Sequence, residues 1–132
     1  MDIEVTFPGG QRVDATFDGL TLRTDTAVES GGEGTAHSPF GVFLASVGCC
    51  VGKTMLDFCQ HRGIPMAGIR LREAVEFHPE THLAAGIRFE LTLPPKFPER
   101  YVQPLLRATK ACTVKKHLET PPAISTLISR SS

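Results

Sequence analysis

The run SPFGVFLASVGCCVGKTMLDFCQHRG, residues 38–63, constrains the fold more than any other stretch. Ser38 followed by Pro39 opens a helix, serine as N-cap and proline at the first helical position. Gly63, with Pro65 behind it, closes the helix near Arg62. Between these signals Val42, Phe43, Leu44, Ala45, Val47, Cys49, Cys50 and Val51 cover nearly the whole helix circumference. A helix that is apolar all round has to be covered all round. At about 24 residues and roughly 36 Å long, it exceeds what the rest of a 132-residue chain can wrap. A partner subunit is the economical solution.

The flanking sequence reads as antiparallel strands. Ile3, Val5 and Phe7 alternate, PGGQ turns, and Val13, Ala15 and Phe17 alternate again. Asp18-Gly19 is a second hairpin signal, leading to Leu20 and Leu22. The glycine-rich ESGGEGTAHS, residues 29–38, is expected to be a mobile loop. After the helix, Ile69, Leu71, Val75 and Phe77 form one strand and Ile87, Phe89, Leu91 and Leu93 another, with HPETH as their hairpin. Arg70, Arg72 and Arg88 fall on the wet face that an antiparallel sheet permits. A second helix is expected from about Glu99 to Leu118, with Pro104 kinking it or delaying its start. Pro121-Pro122 ends it, and AISTLIS is expected as a last strand. The order βββ-α-ββ-α-β defines an α+β fold, read as a single domain over residues 1–132 without internal repeats.

Charge and composition narrow the function. Lys and Arg total 14 and so do Asp and Glu, for a net charge of zero and no basic stripe. That argues against a nucleic-acid partner. MDIEVTF has neither the basic start nor the apolar centre of a signal peptide. No apolar stretch is read as reaching the roughly 20 residues of a membrane span. The expectation is a cytoplasmic protein with no membrane partner, in a compartment that keeps its four cysteines reduced.

Gly48, Gly52, Lys53 and Thr54 nearly spell a phosphate-binding loop, but the spacing is one residue short. They also fall mid-helix, where the backbone N–H groups are already bonded to carbonyls. Close approach of another helix explains the glycines better. The cysteines are more informative. Cys49 and Cys50 point about 100° apart, and Cys59 lies about 13.5 Å beyond Cys50 along the axis. That exceeds the roughly 7 Å of Cα separation a disulfide tolerates. A redox partner for this helix therefore has to come from Cys112 on the second helix. A thiolate there would draw on a nearby cation: Lys53, Lys115, Lys116 or the hairpin residue Arg12. On spacing alone, a redox pair and four inert thiols both remain open.

SPFGVFLASVGCC resembles a signature of the OsmC/Ohr family of thiol-dependent hydroperoxide reductases: proline opening a helix, a small and apolar run, then cysteine. Ala111-Cys112-Thr113-Val114 resembles the family's second cysteine motif. The resemblance extends over nearly the whole chain, in element order and in the glycine-rich loop. It implies an intertwined homodimer whose sheets wrap two long central helices, with active sites at the subunit interface. It also implies Cys50 as peroxidatic and Cys112 as resolving cysteine, small organic hydroperoxides as substrates and an external dithiol as reductant. No cofactor and no metal are implied. In the best-studied hydroperoxide reductases a glutamate follows the helix-opening proline and steadies a hairpin arginine; here the position is Phe40 and the arginine corresponds to Arg12. The chain thus resembles a branch lacking that glutamate.

Other residues carry weaker readings. Cys59 with His61, or His78 with His82, could ligate a metal, but neither pair has a C-x-x-C partner. Asp57 and Glu73 are expected to be solvated or ion-paired. The reading from a different class is a non-catalytic dimeric module that holds a small apolar ligand or senses oxidants.

Overall fold

The computed structural model describes residues 1–131. The central helix, α1, spans Pro39–His61. Ser38 Oγ accepts the Gly41 N–H at 3.0 Å, which satisfies one donor of the first turn. Gly63 sits at φ +64°, its N–H donating to the Gln60 carbonyl while the Ile64 N–H donates to that of Cys59. This is the Schellman arrangement, and only a residue tolerant of left-handed backbone ends a helix this way.

Contacts divide the chain into two compact units, Met1–Ser46 and the remainder from Val47. In the first, β1 (Glu4–Gly9), β2 (Arg12–Phe17) and β3 (Leu20–Thr24) form an antiparallel meander in that order. Asp18 and Gly19 both have positive φ and join Phe17 to its partner Leu20, the tight hairpin that Asp-Gly favours. Phe7 and Leu20 are 78% and 73% exposed, so the meander keeps apolar side chains bare in the single chain.

The glycine-rich loop is pinned in place, against the expectation of mobility. Asp25, 1% exposed, accepts the Thr26 N–H at 2.7 Å, the Thr35 N–H at 3.0 Å and the Thr35 hydroxyl at 2.6 Å. The Gly32 and Gly34 amides donate to the Ala27 and Thr26 carbonyls. Composition indicated a loop correctly; one buried carboxylate, silent in the pattern, organises it.

In the second unit, β4 (Arg70–Phe77) and β5 (Ala84–Thr92) pair antiparallel. Their outward charges interact as Arg72–Glu90, Arg88–Glu90 and Arg88–Glu76. His78 ties the hairpin turn: its Nδ1 accepts the Glu80 and Thr81 N–H groups. The core is built along one stripe of α1, Val51, Met55, Phe58 and Cys59, against Ile64, Phe97, Leu105 and Cys112.

Two expected elements differ. The second helix is not continuous. A 3₁₀ turn at Glu99–Tyr101 precedes α2 (Val102–Ala108), so Pro104 falls in the first helical turn, where its missing N–H costs nothing. A further 3₁₀ turn, Thr109–Ala111, leads to Cys112 in extended backbone (ψ 122°), and α3 (Thr113–Glu119) starts anew. The break coincides with full burial of the Cys112 side chain, 0% exposed. AISTLIS forms no strand among the described residues. Ile124, Leu127 and Ile128 are 91%, 95% and 91% exposed, and no strand among the described residues pairs with the segment.

By length and composition α1 is also apolar enough to cross a membrane, contrary to the expectation that no stretch qualified; Gly, Cys and Ala extend the apolar run as effectively as larger residues. Only 28% of its most apolar window is buried in the chain. The buried part, Val47, Val51, Met55, Phe58 and Cys59, is the face a core helix shows.

Candidate functional site

Two thiols far apart in sequence meet in the second unit. Val47 and Val51 turn one stripe of α1 inward, and Cys50 flanks that stripe, half-buried against the cluster that holds Cys112. Cys49 lies on the opposite side, at about 200° from Val47, and is exposed rather than a core thiol. Cys59 is fully buried one turn from the end of α1. All four are free thiols.

The chain break at Cys112 sets the electrostatics. The first amides of a helix have no carbonyl partner within it, so restarting the helix at Thr113 leaves donors that a continuous helix would have used. The Cys112 thiol foremost, then the backbone N–H of Val114 and, less strongly, that of Thr113, hold the Cys50 thiol below its ordinary range despite partial burial. Burial, reinforced by the neighbouring Cys50, pushes Cys112 the other way. Cys59 is likewise raised by burial. These opposed directions favour the thiolate at Cys50 over Cys112.

Three of the four cations named from sequence have other partners. Lys53 is ion-paired with Asp57, one turn along α1. Lys115 Nζ reaches the Thr109 carbonyl at 3.5 Å, and its backbone N–H favours the Cys112 thiolate instead. Arg12 Nε donates to the Gly9 carbonyl at 3.3 Å within its own hairpin. Phe40 stacks on Phe43, ring centroids 5.8 Å apart, so the first turn of α1 carries an aromatic pair where a carboxylate could have stood.

Glu73 is only partly exposed and forms no ion pair among the described residues. Its carboxyl turns toward α1 at Gly48, Oε1 is buried without a partner, and burial raises it above the usual carboxylate range despite a bond from the Gly48 amide. The glycine thus accommodates a strand side chain and Phe89 rather than another helix. Gly52, Lys53 and Thr54 lie mid-helix, with Thr54 Oγ1 bonded to the Val51 carbonyl, which leaves no phosphate cradle.

The described residues form a mixed α+β fold in which Cys50 packs against the core cluster that contains Cys112. The chain belongs to the OsmC-like protein family, whose model matches residues 32–126. Among solved structures, one described as an osmotic stress induced and detoxification response protein from Psychrobacter arcticus 273-4 is similar at TM-score 0.71 and 18% identity, covering 86% of this chain and 85% of that one. A structure described as an organic hydroperoxide resistance protein from Vibrio cholerae, with captopril bound in one of its active sites, gives 0.55 and 17%, covering 92% and 86%. The organic hydroperoxide resistance protein OsmC from Legionella pneumophila gives 0.51 and 19%, covering 89% of each chain. At these identities the likeness is one of fold. No curated protein matches the sequence.

Proposed function

We infer that the protein is a thiol-dependent peroxidase that reduces small organic hydroperoxides in oxidative-stress defence. The observation that carries this reading is that half-buried Cys50 packs against the cluster holding buried Cys112, with opposed bias, Cys50 toward thiolate and Cys112 toward thiol. Membership of the OsmC-like family supports it, as do fold relatives described as organic hydroperoxide resistance proteins.

In the proposed cycle the Cys50 thiolate attacks the distal oxygen of the hydroperoxide. The O–O bond breaks, Cys50 becomes a sulfenic acid, and the alkoxide leaves and takes a proton from solvent to form the alcohol. The Cys112 sulfur then attacks the Cys50 sulfur. The S–O bond breaks, and the hydroxide leaves with the Cys112 proton as water. An external dithiol returns two electrons by thiol–disulfide exchange and restores both thiols. Arg12 remains a proposed supporter of the thiolate, without the glutamate that Phe40 replaces. Mass spectrometry after one equivalent of cumene hydroperoxide is expected to show a Cys50–Cys112 disulfide and little else. Four intact thiols would favour the ligand-binding module instead.

The proposed assembly is a homodimer of one OsmC-like domain, residues 1–132; the family match crosses the boundary between the two units, which supports reading them as one domain. The uncovered share of α1, the bare side chains of the meander and the unpaired AISTLIS segment all call for apolar cover. Sedimentation at micromolar concentration is expected to return twice the chain mass. A monomer at that concentration would contradict the assembly.

A further inference from the structure

A hollow in the unit from Val47 has no part in the cysteine chemistry. It has a volume of about 560 Å³ and lies between the end of α1 and the PPKFP segment, within the size range of small-molecule pockets. Its walls are apolar, formed by Ile64, Pro94, Phe97, Pro98 and Tyr101. Its charged lining consists of Arg62, Lys96 and Arg100, with no acidic residue among them. None of these three cations forms an ion pair among the described residues, whereas Lys53, Arg72 and Arg88 all do.

The two arginines are held rather than loose. The Arg62 guanidinium lies 3.6 Å from the Phe58 ring centroid and donates Nη1 to the Phe58 carbonyl at 3.1 Å, which leaves further N–H groups for a ligand. Arg100 lies 4.8 Å from the Tyr101 centroid, and Arg62 lies 5.7 Å from the same ring. Tyr101 in turn packs edge-on to Phe58, which fixes the aromatic wall. An apolar concavity rimmed by unpaired guanidinium groups complements a molecule with a greasy body and an anionic head. The planar fork of arginine fits a carboxylate in particular.

We propose that this hollow binds a small amphipathic carboxylate, an aryl or alkyl acid. Its body lies against Tyr101, Phe97 and the prolines, and its head meets Arg100 and Arg62. The site is independent of any turnover at Cys50. The test is calorimetric titration of the full-length protein with 4-phenylbutyrate and, separately, with the uncharged 4-phenylbutan-1-ol, alongside amide chemical-shift mapping. The acid is expected to bind at least about tenfold more tightly than the alcohol, about 1.4 kcal/mol, and to weaken as salt rises. Shifts should centre on Gly63, Ala67 and Tyr101. Arg100→Gln should weaken the acid about tenfold while leaving the alcohol unchanged. Ala67→Phe, which fills the hollow from an exposed position, should remove both; Cys50→Ser should change neither. Equal affinity for acid and alcohol would overturn the proposal. So would shifts mapping elsewhere, no binding of the acid up to about 10 mM, or binding unaltered in folded Arg100→Gln and Lys96→Gln variants.

Discussion

Cys50→Ser is expected to reduce dithiol-dependent consumption of tert-butyl or cumene hydroperoxide by at least about 1,000-fold, about 4 kcal/mol of transition-state stabilisation. A serine hydroxyl does not ionise near neutral pH, and the Cys112 thiol and the Val114 and Thr113 amides can favour an anion at position 50 only if one forms. Cys112→Ser should behave differently. The first turnover survives, because the nucleophile remains. The sulfenic acid then persists and is trapped by dimedone, and steady-state turnover falls for want of the internal thiol. Cys49→Ser should stay within about twofold of the parent, since its side chain is exposed on the other side of α1. Steady-state rates of the three variants against a coupled dithiol assay give the answer. Loss of activity in Cys49→Ser with retention in Cys50→Ser would falsify the assignment of the nucleophile.

Gly32→Ala is expected to destabilise the fold by about 3 kcal/mol or more, because overpacking against backbone cannot relax by a rotamer change. A Cβ at this position would overlap the Thr26 carbonyl group itself. Thr26 cannot give way easily, since its N–H is bonded to buried Asp25 and its carbonyl accepts the Gly34 amide. Gly86→Ala is the control: nothing lies within 4 Å of its Cβ, and urea unfolding should shift by less than about 0.5 kcal/mol. The same loop predicts an acid dependence. The bonds from the Thr35 hydroxyl, first, and from the Thr35 and Thr26 amides lower the Asp25 carboxyl from 3.8 to about 2. A depressed carboxylate adds stability that is fully present above its unfolded pKa, so this contribution is whole above about pH 4 and is lost as pH falls through about 2. Asp25→Asn should abolish that part of the pH profile and lower Tm at neutral pH. A profile that Asp25→Asn leaves unaltered at pH 2–4 would place the acid sensitivity elsewhere.

Much of the fold could be read in advance because its signals are local. Ser38-Pro39 and Gly63 bounded α1 through the chemistry of helix ends, and Asp18-Gly19 set a hairpin through its tolerance of positive φ. Alternation placed β4 and β5 with their ion pairs outward. The failures share a different cause. AISTLIS has the pattern of a strand, but a strand also needs a neighbour, and the described residues supply none. Glu73 reads as a surface charge on its strand, yet a glycine on α1 leaves room for its carboxyl to turn inward. Asp25 carries no periodic signal at all. Its importance lies in three donors that converge on it from Thr26 and Thr35.

The sequence by itself determined the order of the elements from β1 to β5, the ends of the central helix and the need for apolar cover around it, and it left Cys112 as the candidate partner for a thiol on α1. Tertiary structure alone decided what favours a thiolate at Cys50, the proposed nucleophile. The expected source was a cation. Instead, the second helix breaks as Cys112 enters the core, and the restart at Thr113 turns amides without helical partners toward Cys50. No local pattern encodes that break. It coincides with burial of the Cys112 side chain, and that burial exists only once the core has formed.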